Sequence, residues 1–387
     1  MALQSPHHHK HSLEHVMQTT SKTLAAAELH TLSDVAIENH AGFVRVPVGV
    51  AGPLKVSRSG DAEAEYYAPL ATVEPTLVAS CSRGCKAFTE CNGLRFETLR
   101  EGMARAPVFF FDGPDKALAF AARIPSLRDQ FARDAESTSR FARLQTLTPH
   151  VIGSRVHLIF VYTTGDATGQ NMVTIATQAA CDGFLATHVA KQLGVRDFVI
   201  EGDMASDKKA SWRNATYARG VQVLAWGVLT NDVCERVLKC TTQRLHLILT
   251  TMKEGQTRNG GFGSNVNAAN VVAAMFIACG QDAASVAESA WAHLTAEFDA
   301  NTKDLRLSLF FPSLPVGTVG GGTMYPSQEA SLELLRCKGH GSKSRLAGLV
   351  ACFCLALDVS TAAAIASGGF TNAHKKLARD RSDKSKL

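Results

Sequence analysis

The sequence predicts an α+β fold in which a compact module of about 100 residues is inserted into a more helical host. Short β-type runs alternate with helical stretches between residues 108 and 205, whereas the flanking segments have mainly helical patterns. The 387 residues are 45% hydrophobic and 19% charged, a balance typical of globular proteins with a sizeable core. We therefore divide the chain into a flexible arm (1–21), a first host part (22–107), the inserted module (108–205) and a second host part (206–387).

The first host part is predicted to contain helices and one strand. Helix signals begin near Lys22. Residues 42–54 mix β-branched side chains with prolines and glycines, which indicates a short strand that enters a tight loop. Residues 79–105 have a helical pattern that ends before Pro107, and the small side chains at 80–86 permit close backbone approach.

The remaining elements follow from the same patterns. In the inserted module, strands are predicted at 108–111, 151–159 and 198–200, and helices at 116–122 and 171–193. The second host part is predicted to be helical at 232–251, 267–280 and 283–297. A glycine-rich loop at 317–323 precedes two further helical stretches that end near residue 379.

Charge and composition exclude several classes of function. The formal net charge is only +5, so the basic footprint of a nucleic-acid-binding protein is absent. The apolar stretch at 346–357 ends at Asp358, which is short of the ~20 residues of a membrane span. The ten cysteines form no Cys-x-x-Cys pairs, so we expect reduced, buried thiols and no metal site.

The last three residues, Ser385-Lys386-Leu387, match the tripeptide that the peroxisomal import receptor reads at a free C-terminus. The preceding residues 379–384 are polar, which suits an exposed tail. We expect a peroxisomal location through this receptor, and a cytoplasmic one otherwise.

Three segments carry a resemblance to a known family. Residues 38–54 are similar to the substrate-binding segment of 3-hydroxy-3-methylglutaryl-CoA (HMG-CoA) reductases. Residues 165–172 resemble the NADP-binding loop of that family, and residues 317–323 resemble its second glycine-rich loop. The resemblance implies a large helical domain with an inserted small α+β NADP-binding domain, without the membrane region of many eukaryotic relatives. It also implies a homodimer or homotetramer with active sites between subunits.

The resemblance further implies four catalytic residues for the two-step reduction of a thioester to an alcohol. Lys208 would polarise the thioester carbonyl, and Glu74 would deliver a proton from a pKa raised by burial. Asp282 would tune both residues, and His374 would protonate the departing CoA thiolate. Taken alone, Lys208 would be a surface lysine, Asp282 a helix N-cap and His374 an ordinary tail histidine.

The resemblance implies NADPH as cofactor and an acyl-CoA as substrate. Ser139 and Arg140 fall where the family grips the 2′-phosphate, and an arginine there favours NADPH over NADH. The further implied cofactor contacts are Asp166, Gly169, Asn171, Met172, Gly320, Gly321, Gly322 and Arg379. The implied acyl-CoA contacts are Ser80, Arg83, Arg105, Asp207, Lys209 and Asn270. Without the resemblance, Arg105 would be a charge near a helix C-terminus.

Departures from the family pattern concentrate on the substrate side. They are Pro75, residues 90–92, Glu201, the segment 253–261 before Asn265, Asn267 and Ala373. Glu201 replaces a serine and would repel a substrate carboxylate, unless the acyl group differs or the glutamate pairs with Lys209 or Arg213. Three hypotheses follow, namely a mevalonate-forming HMG-CoA reductase, a reductase of another acyl-CoA, and a non-catalytic relative that binds CoA or dinucleotide. The retained Glu74, Lys208, Asp282 and His374 argue against the third.

Overall fold

The computed structural model describes residues 15–19, 22, 35–58 and 62–371. The strands are β1 (Val48–Arg58), β2 (Ala64–Ala71), β3 (Leu94–Arg105), β4 (Val108–Phe110), β5 (Arg143–Ile152), β6 (Arg155–Thr163), β7 (Asp197–Val199), β8 (Gly220–Leu229), β9 (His293–Phe298) and β10 (Leu305–Leu314). The helices are α1 (Leu77–Glu90), α2 (Pro114–Glu136), α3 (Gln170–Leu185), α4 (His188–Gln192), α5 (Trp212–Thr216), α6 (Asn231–Val233), α7 (Thr242–Arg258), α8 (Ala268–Ala278), α9 (Val286–Ser289), α10 (Pro326–Leu334) and α11 (Lys343–Ala366). The predicted α+β class is confirmed.

Strand β3 connects two parts of one largely antiparallel sheet, whose order is β7-β4-β6-β3-β8-β10-β9. The first part of β3 pairs with β8, and its last three residues pair with β6. Strand β1 lies parallel to β3 and antiparallel to β2, and β5 pairs with β6. Residues at the end of β3 therefore lie where the two parts of the sheet meet.

The host core surrounds α11. This helix is long and apolar enough to cross a membrane, but 83% of its most apolar 18-residue window is buried inside the protein. It is therefore the central core helix, and it continues past the buried Asp358, where we expected the apolar stretch to end. Helix α1 packs against it, and a Cβ at Gly84 would clash with the Ala356 carbonyl, so the predicted close backbone approach is confirmed.

The segment between β3 and β8 has a second core, in which α2 and α3 cover β4, β5 and β6. Its centre is a cluster of phenylalanines, with ring centroids of Phe109 and Phe120 5.0 Å apart and those of Phe131 and Phe184 also 5.0 Å apart. Aromatic side chains bury large apolar areas, so this segment has a hydrophobic core of its own. The division of the chain at 108 and 205 stays a prediction.

Several predicted elements were wrong. The helix expected at 79–105 ends at Glu90, and residues 94–105 form β3 because they pair with strands on both sides. Strands β8, β9 and β10 lie in a region that we expected to be helical, including the end of the helix expected at 283–297. The host is therefore less helical than predicted, whereas the helix expected at 267–280 is confirmed as α8.

All ten cysteines are free, and nine of them are buried, while Cys91 is half-buried. Burial raises the pKa of the Cys352 thiol, as it does for Cys354 in the same helix. Thiols of this kind are packing residues of low reactivity. The expectation of reduced, mostly buried thiols is confirmed.

Candidate active site

Lys208 lies in a loop that a buried asparagine holds in shape. The Asn214 side-chain amide donates to the carbonyl oxygens of Ser206 and Lys209, both at 2.8 Å. Ser206 and Lys208 each have a φ of 57°, in the left-handed region that residues with a Cβ seldom adopt. The loop therefore keeps an uncommon conformation that leaves the Lys208 side chain 43% exposed.

The Lys208 ammonium forms an ion pair with Asp282. The Nζ to Oδ2 distance is 2.9 Å, and the carboxylate is one-third exposed. Asp282 also caps the 3₁₀ helix Ala283–Ser285 by accepting the Ala284 N–H at 3.1 Å. Burial acts to raise the pKa of Asp282, but the Lys208 ammonium and the Ala284 N–H outweigh it and lower this pKa. Asp282 therefore stays ionised and fixes the cation.

A buried arginine supports the same loop from beneath. Arg219 is fully buried and forms ion pairs with Asp207 at 2.7 Å and with the fully buried Glu288 at 2.5 Å. Burial raises the pKa of Glu288 to about 7, although the Arg219 guanidinium opposes the shift. Because Asp207 directly precedes Lys208, this buried network anchors the lysine loop to the core.

Arg105 is the last residue of β3, not a residue of a helix, and only 11% of its side chain is exposed. Its Nη1 lies 3.3 Å from Oε2 of Glu201 and 3.9 Å from Oδ2 of Asp207. The same Glu201 oxygen accepts the Ala106 N–H at 3.2 Å. Glu201 thus pairs with Arg105, whereas Lys209 and Arg213 were the two partners considered from the sequence. Lys209 pairs instead with Asp203 at 2.8 Å.

Glu74 lies in the loop between β2 and α1 and is exposed on its own chain. Both of its carboxylate oxygens accept the Asn270 amide, at 2.9 and 3.2 Å. The expectation that Glu74 is buried was wrong for the single chain, in which its side chain stays exposed beside Asn270. Asn270 belongs to the first turn of α8, so this pair marks the start of that helix.

Two adjoining cavities meet at Arg83. The first has a volume of about 730 Å³. Its charged lining residues are Arg83, Lys86, Glu90, Arg236 and Lys239. The second, of about 540 Å³, reaches Glu74, Ser80 and Asn270. The Arg83 guanidinium donates to the Ser360 hydroxyl at 3.0 Å and to the Ser360 carbonyl at 2.6 Å. A long ligand with anionic groups at one end fits these cavities.

The predicted cofactor loops contact each other. The Thr318 N–H donates to the Asp166 carbonyl at 2.8 Å, and the Asp166 carboxylate accepts the Gly341 N–H at 2.8 Å. Gly317 exchanges two hydrogen bonds with the Gln281 side chain, at 2.8 and 2.9 Å. A Cβ at Gly317 would clash with Thr168, so only glycine permits this approach. The two glycine-rich segments, which lie far apart in sequence, thus form one surface.

The Lys343 side chain connects the surface formed by the two glycine-rich segments to helix α11 of the host part. Lys343 begins α11, and its side chain is only 5% exposed. The ammonium contacts the Glu101 carboxylate at 2.6 Å, the Thr164 hydroxyl at 3.1 Å and the carbonyls of Gly165 and Ala167, both at 3.0 Å. Burial lowers the pKa of Lys343, while Glu101 opposes the shift. One buried cation therefore holds the 164–167 turn.

Comparisons with known proteins decide the family. The sequence profile described as hydroxymethylglutaryl-coenzyme A reductase matches residues 5–379. The chain belongs to this family. It is 39% identical over 354 residues to the 3-hydroxy-3-methylglutaryl-coenzyme A reductase of Aeropyrum pernix, covering 89% of this chain and 82% of that protein. The corresponding Haloferax volcanii enzyme is 40% identical over 357 residues, with coverages of 90% and 86%.

Solved structures support the same HMG-CoA reductase fold. The class II 3-hydroxy-3-methylglutaryl-CoA reductase from Streptococcus pneumoniae, bound to NADPH in open conformations, superposes with a TM-score of 0.69. The match covers 92% of this chain and 97% of that chain at 18% identity. A plant relative, 3-hydroxy-3-methylglutaryl coenzyme A reductase 1 of Cannabis sativa, is 38% identical over 97% of this chain and 66% of its own length.

Sequence reasoning missed the residues that hold this HMG-CoA reductase site together. They are Asn214, Arg219, Gln281, Glu288 and Lys343. Buried polar side chains need partners, so an isolated charge among small and apolar residues, such as Glu288, was a signal that could have been used. Their partners are distant in sequence, and the geometry was needed to identify them.

Some predicted residues lie outside the described residues. They are His374, Arg379, Ala373, the arm at 1–14 and the tripeptide Ser385-Lys386-Leu387. Their roles, including the peroxisomal address, stay predictions. Ser139 and Arg140 are described and follow the end of α2, where the Ser139 hydroxyl accepts the Phe141 N–H at 3.1 Å.

Proposed function

We propose that this chain is an NADPH-dependent reductase that converts HMG-CoA to mevalonate and CoA by two successive hydride transfers. The observation that carries the proposal is the ion pair between Lys208 and Asp282, in a chain that belongs to this family. The buried Asn214 and Arg219 hold the loop on which Lys208 lies. A positioned cation beside a carbonyl stabilises the negative charge that develops on its oxygen during reduction. Relatives about 40% identical carry the reductase name over most of their length.

Each catalytic group then has one task. The Lys208 ammonium polarises the thioester carbonyl and stabilises the oxyanion, and Asp282 holds the ammonium in place. Glu74 delivers the proton when the aldehyde is reduced. His374 protonates the CoA thiolate, which would otherwise attack the aldehyde again. CoA binds with its anionic groups beside Arg83, Lys86 and Lys239.

The residues present fit a dinucleotide. Gly320 and Gly321 are exposed, have φ values of 76° and 55°, and have open space where a Cβ would lie. They allow a flat ligand to approach the backbone closely. NADPH would supply the hydrides, one from each of two molecules bound in turn. Asp166, Gly169, Asn171 and Met172 would hold the nicotinamide side, and Ser139 and Arg140 the 2′-phosphate, which a guanidinium binds through two hydrogen bonds.

Lys343 positions the cofactor loop, and replacing it tests this placement. In Lys343→Met, we expect the KM for NADPH to rise about tenfold while kcat falls less, because the 164–167 turn loses its buried cation. The wild-type KM should also rise at alkaline pH. The pKa of Lys343 is lowered, so its proton is lost below the ordinary lysine range. The variant should lack this alkaline rise, as steady-state kinetics across pH would measure.

The matched control is Lys338→Met. Lys338 is about half-exposed and pairs with Glu329 and Glu333 on α10, five residues before Lys343. Its removal should leave the KM for NADPH and its pH dependence unchanged. An unchanged KM for NADPH in Lys343→Met would contradict the positioning role.

The two halves of the reaction centre lie at opposite ends of α8 on one chain. Glu74 contacts Asn270 in the first turn, whereas Asp282 and Lys208 lie beyond the last turn. Residues 270 and 278 are roughly 12 Å apart at the rise of an α-helix. The same chain therefore does not bring Glu74 and Lys208 to one carbonyl. We infer that a second copy completes the site, and the exposed Val73 and Trp212 beside the two halves suit such an interface.

Co-expression of two inactive variants tests this arrangement. Glu74→Gln and Lys208→Met should each be inactive alone. In a hybrid dimer, one centre combines the intact Glu74 of one chain with the intact Lys208 of the other. With random pairing, half of the dimers are hybrids with one of two centres intact, so about a quarter of wild-type activity should return. Absence of recovery in a purified hybrid would overturn the shared site.

The overall function is tested by stoichiometry. Purified protein is incubated with HMG-CoA and NADPH, and absorbance at the nicotinamide band is followed together with release of free CoA thiol. Two NADPH oxidised for each thiol, with mevalonate as product, would establish the reaction. NADPH oxidation without thiol release, or no oxidation at all, would refute the proposal.

A further inference from the structure

The Glu201 carboxylate pairs with the Arg105 guanidinium, the group that would bind the carboxylate of the substrate. The ion pair between Arg105 and Glu201 is 3.3 Å long, and both side chains are largely buried, with 11% and 24% exposed. The Ala106 N–H fixes the same glutamate oxygen at 3.2 Å. Oε1 of Glu201 and Nε of Arg105 are buried without a hydrogen-bond partner among the described residues. The two side chains are therefore buried and in contact, but each has one polar atom without a hydrogen-bond partner among the described residues.

The neighbouring cations also have carboxylate partners. Arg219 pairs with Asp207, and Lys209 pairs with Asp203. Asp207 lies 3.9 Å from Arg105, which adds a second negative charge beside the same guanidinium. An incoming carboxylate thus meets a cation that two carboxylates of the chain already neutralise. Repulsion between like charges is strong where water is largely excluded.

Arg213 provides an alternative partner for Glu201. Its Nη1 is buried without a hydrogen-bond partner among the described residues, and the Glu201 carboxylate acts on it electrostatically. The Arg213 guanidinium lies 6.0 Å from the Tyr217 ring. A rotation of the Glu201 side chain from Arg105 towards Arg213 would free Arg105 while it keeps the glutamate paired.

We propose that Glu201 is a specificity-determining residue that competes with the terminal carboxylate of the acyl group for Arg105. The inference rests on the proposed reductase function. The chain then binds HMG-CoA only at the cost of displacing Glu201, whereas a thioester without the terminal carboxylate leaves the Arg105–Glu201 pair intact. This reductase therefore accepts neutral 3-hydroxyacyl-CoA thioesters as a substrate class beside HMG-CoA.

The test compares two thioesters that differ only in the terminal group. They are HMG-CoA and 3-hydroxy-3-methylbutanoyl-CoA, in which a methyl group replaces the carboxymethyl group. The quantity measured is the ratio of kcat/KM for HMG-CoA to kcat/KM for the neutral thioester. We compare wild type with Glu201→Gln and Glu201→Ser. Glutamine retains an acceptor for the Ala106 N–H, and serine removes the long side chain, so a folding defect in one variant leaves the other available.

The ratio should rise about tenfold or more in both variants, mainly through a lower KM for HMG-CoA. The control variant is Glu97→Gln. Glu97 lies on β3, the strand of Arg105, and is a half-buried partner of Arg58. Its replacement should leave the ratio unchanged. An unchanged ratio in both Glu201 variants, with wild-type turnover of HMG-CoA, would overturn this inference alone. Turnover of neither thioester by the wild type would overturn the reductase function together with it.

Discussion

Lys208→Met is expected to lower kcat for HMG-CoA reduction by about a thousandfold, with folding and NADPH binding preserved. The substitution keeps the length of the side chain and removes the ammonium that lies 2.9 Å from Asp282. An oxyanion would then develop beside the Asp282 carboxylate with no cation between them. Lys208→Arg should recover only part of the rate, because a planar guanidinium cannot place its charge where the ammonium lies.

Lys303→Met is the matched control for Lys208→Met. Lys303 has a φ of 61° in the turn between β9 and β10, so both lysines adopt the left-handed conformation. A loss of activity caused by backbone effects of the substitution would affect both variants. Turnover is measured at saturating NADPH, and cofactor binding is followed by quenching of tryptophan fluorescence. Activity within tenfold of wild type in Lys208→Met would show that another group stabilises the oxyanion.

The sequence was most informative where a local motif determines a local structure. The small residues at 80–86 predicted close backbone approach, and a Cβ at Gly84 would indeed clash with the Ala356 carbonyl. Asp282 follows an apolar helix, so its capping role was readable, and the structure adds the Lys208 contact to the same carboxylate. Both features depend on residues within a few positions of each other or on one glycine without a side chain.

Strands were harder to predict than loops in this chain. The residues of β3 include leucines, arginines and glutamates, which have high helix propensity, but pairing with β1, β8 and β6 determines their conformation. In β8, buried and less buried residues alternate from Val221 to Leu229, but the less buried ones include Leu224, Trp226 and Val228, so the sequence itself shows no alternation of apolar and polar residues. The position of Arg105 at the end of a strand follows from the pairing of β3 with β6 alone.

Charge pairing across the chain was the least predictable feature. Glu201 lies 96 positions from Arg105, with Lys209 and Arg213 much closer in sequence, yet it pairs with the distant arginine. Lys343 likewise contacts Glu101 and the 164–167 turn, which are both far from it in sequence. The free energy of burying a charge depends on which partners reach it in three dimensions, so sequence distance gives little guidance.

Arg219→Met is expected to lower the free energy of unfolding by about 3–5 kcal/mol at pH 8, because it leaves the buried Glu288 carboxylate without its cation. The pKa of Glu288 is already raised to about 7 by burial. Without Arg219 it should rise further, so the folded variant holds a proton that the unfolded chain releases. The stability of the variant is therefore lost as pH rises through this higher pKa, and the deficit relative to wild type should shrink below pH 7.

The double variant Arg219→Met/Glu288→Leu separates the buried charge from the loss of contacts. Removing both charges should restore much of the stability, since no unpaired ion remains in the core. Arg306→Met is the surface control: Arg306 and Glu297 are 69% and 70% exposed, and exposed pairs contribute little to stability. Urea unfolding at pH 6 and pH 8 measures the stability of all four proteins.

Because Arg219 also holds Asp207 beside Lys208, turnover in the folded double variant should stay low even as stability returns. Recovery of both together would show that Asp207 keeps the lysine loop in place without the arginine.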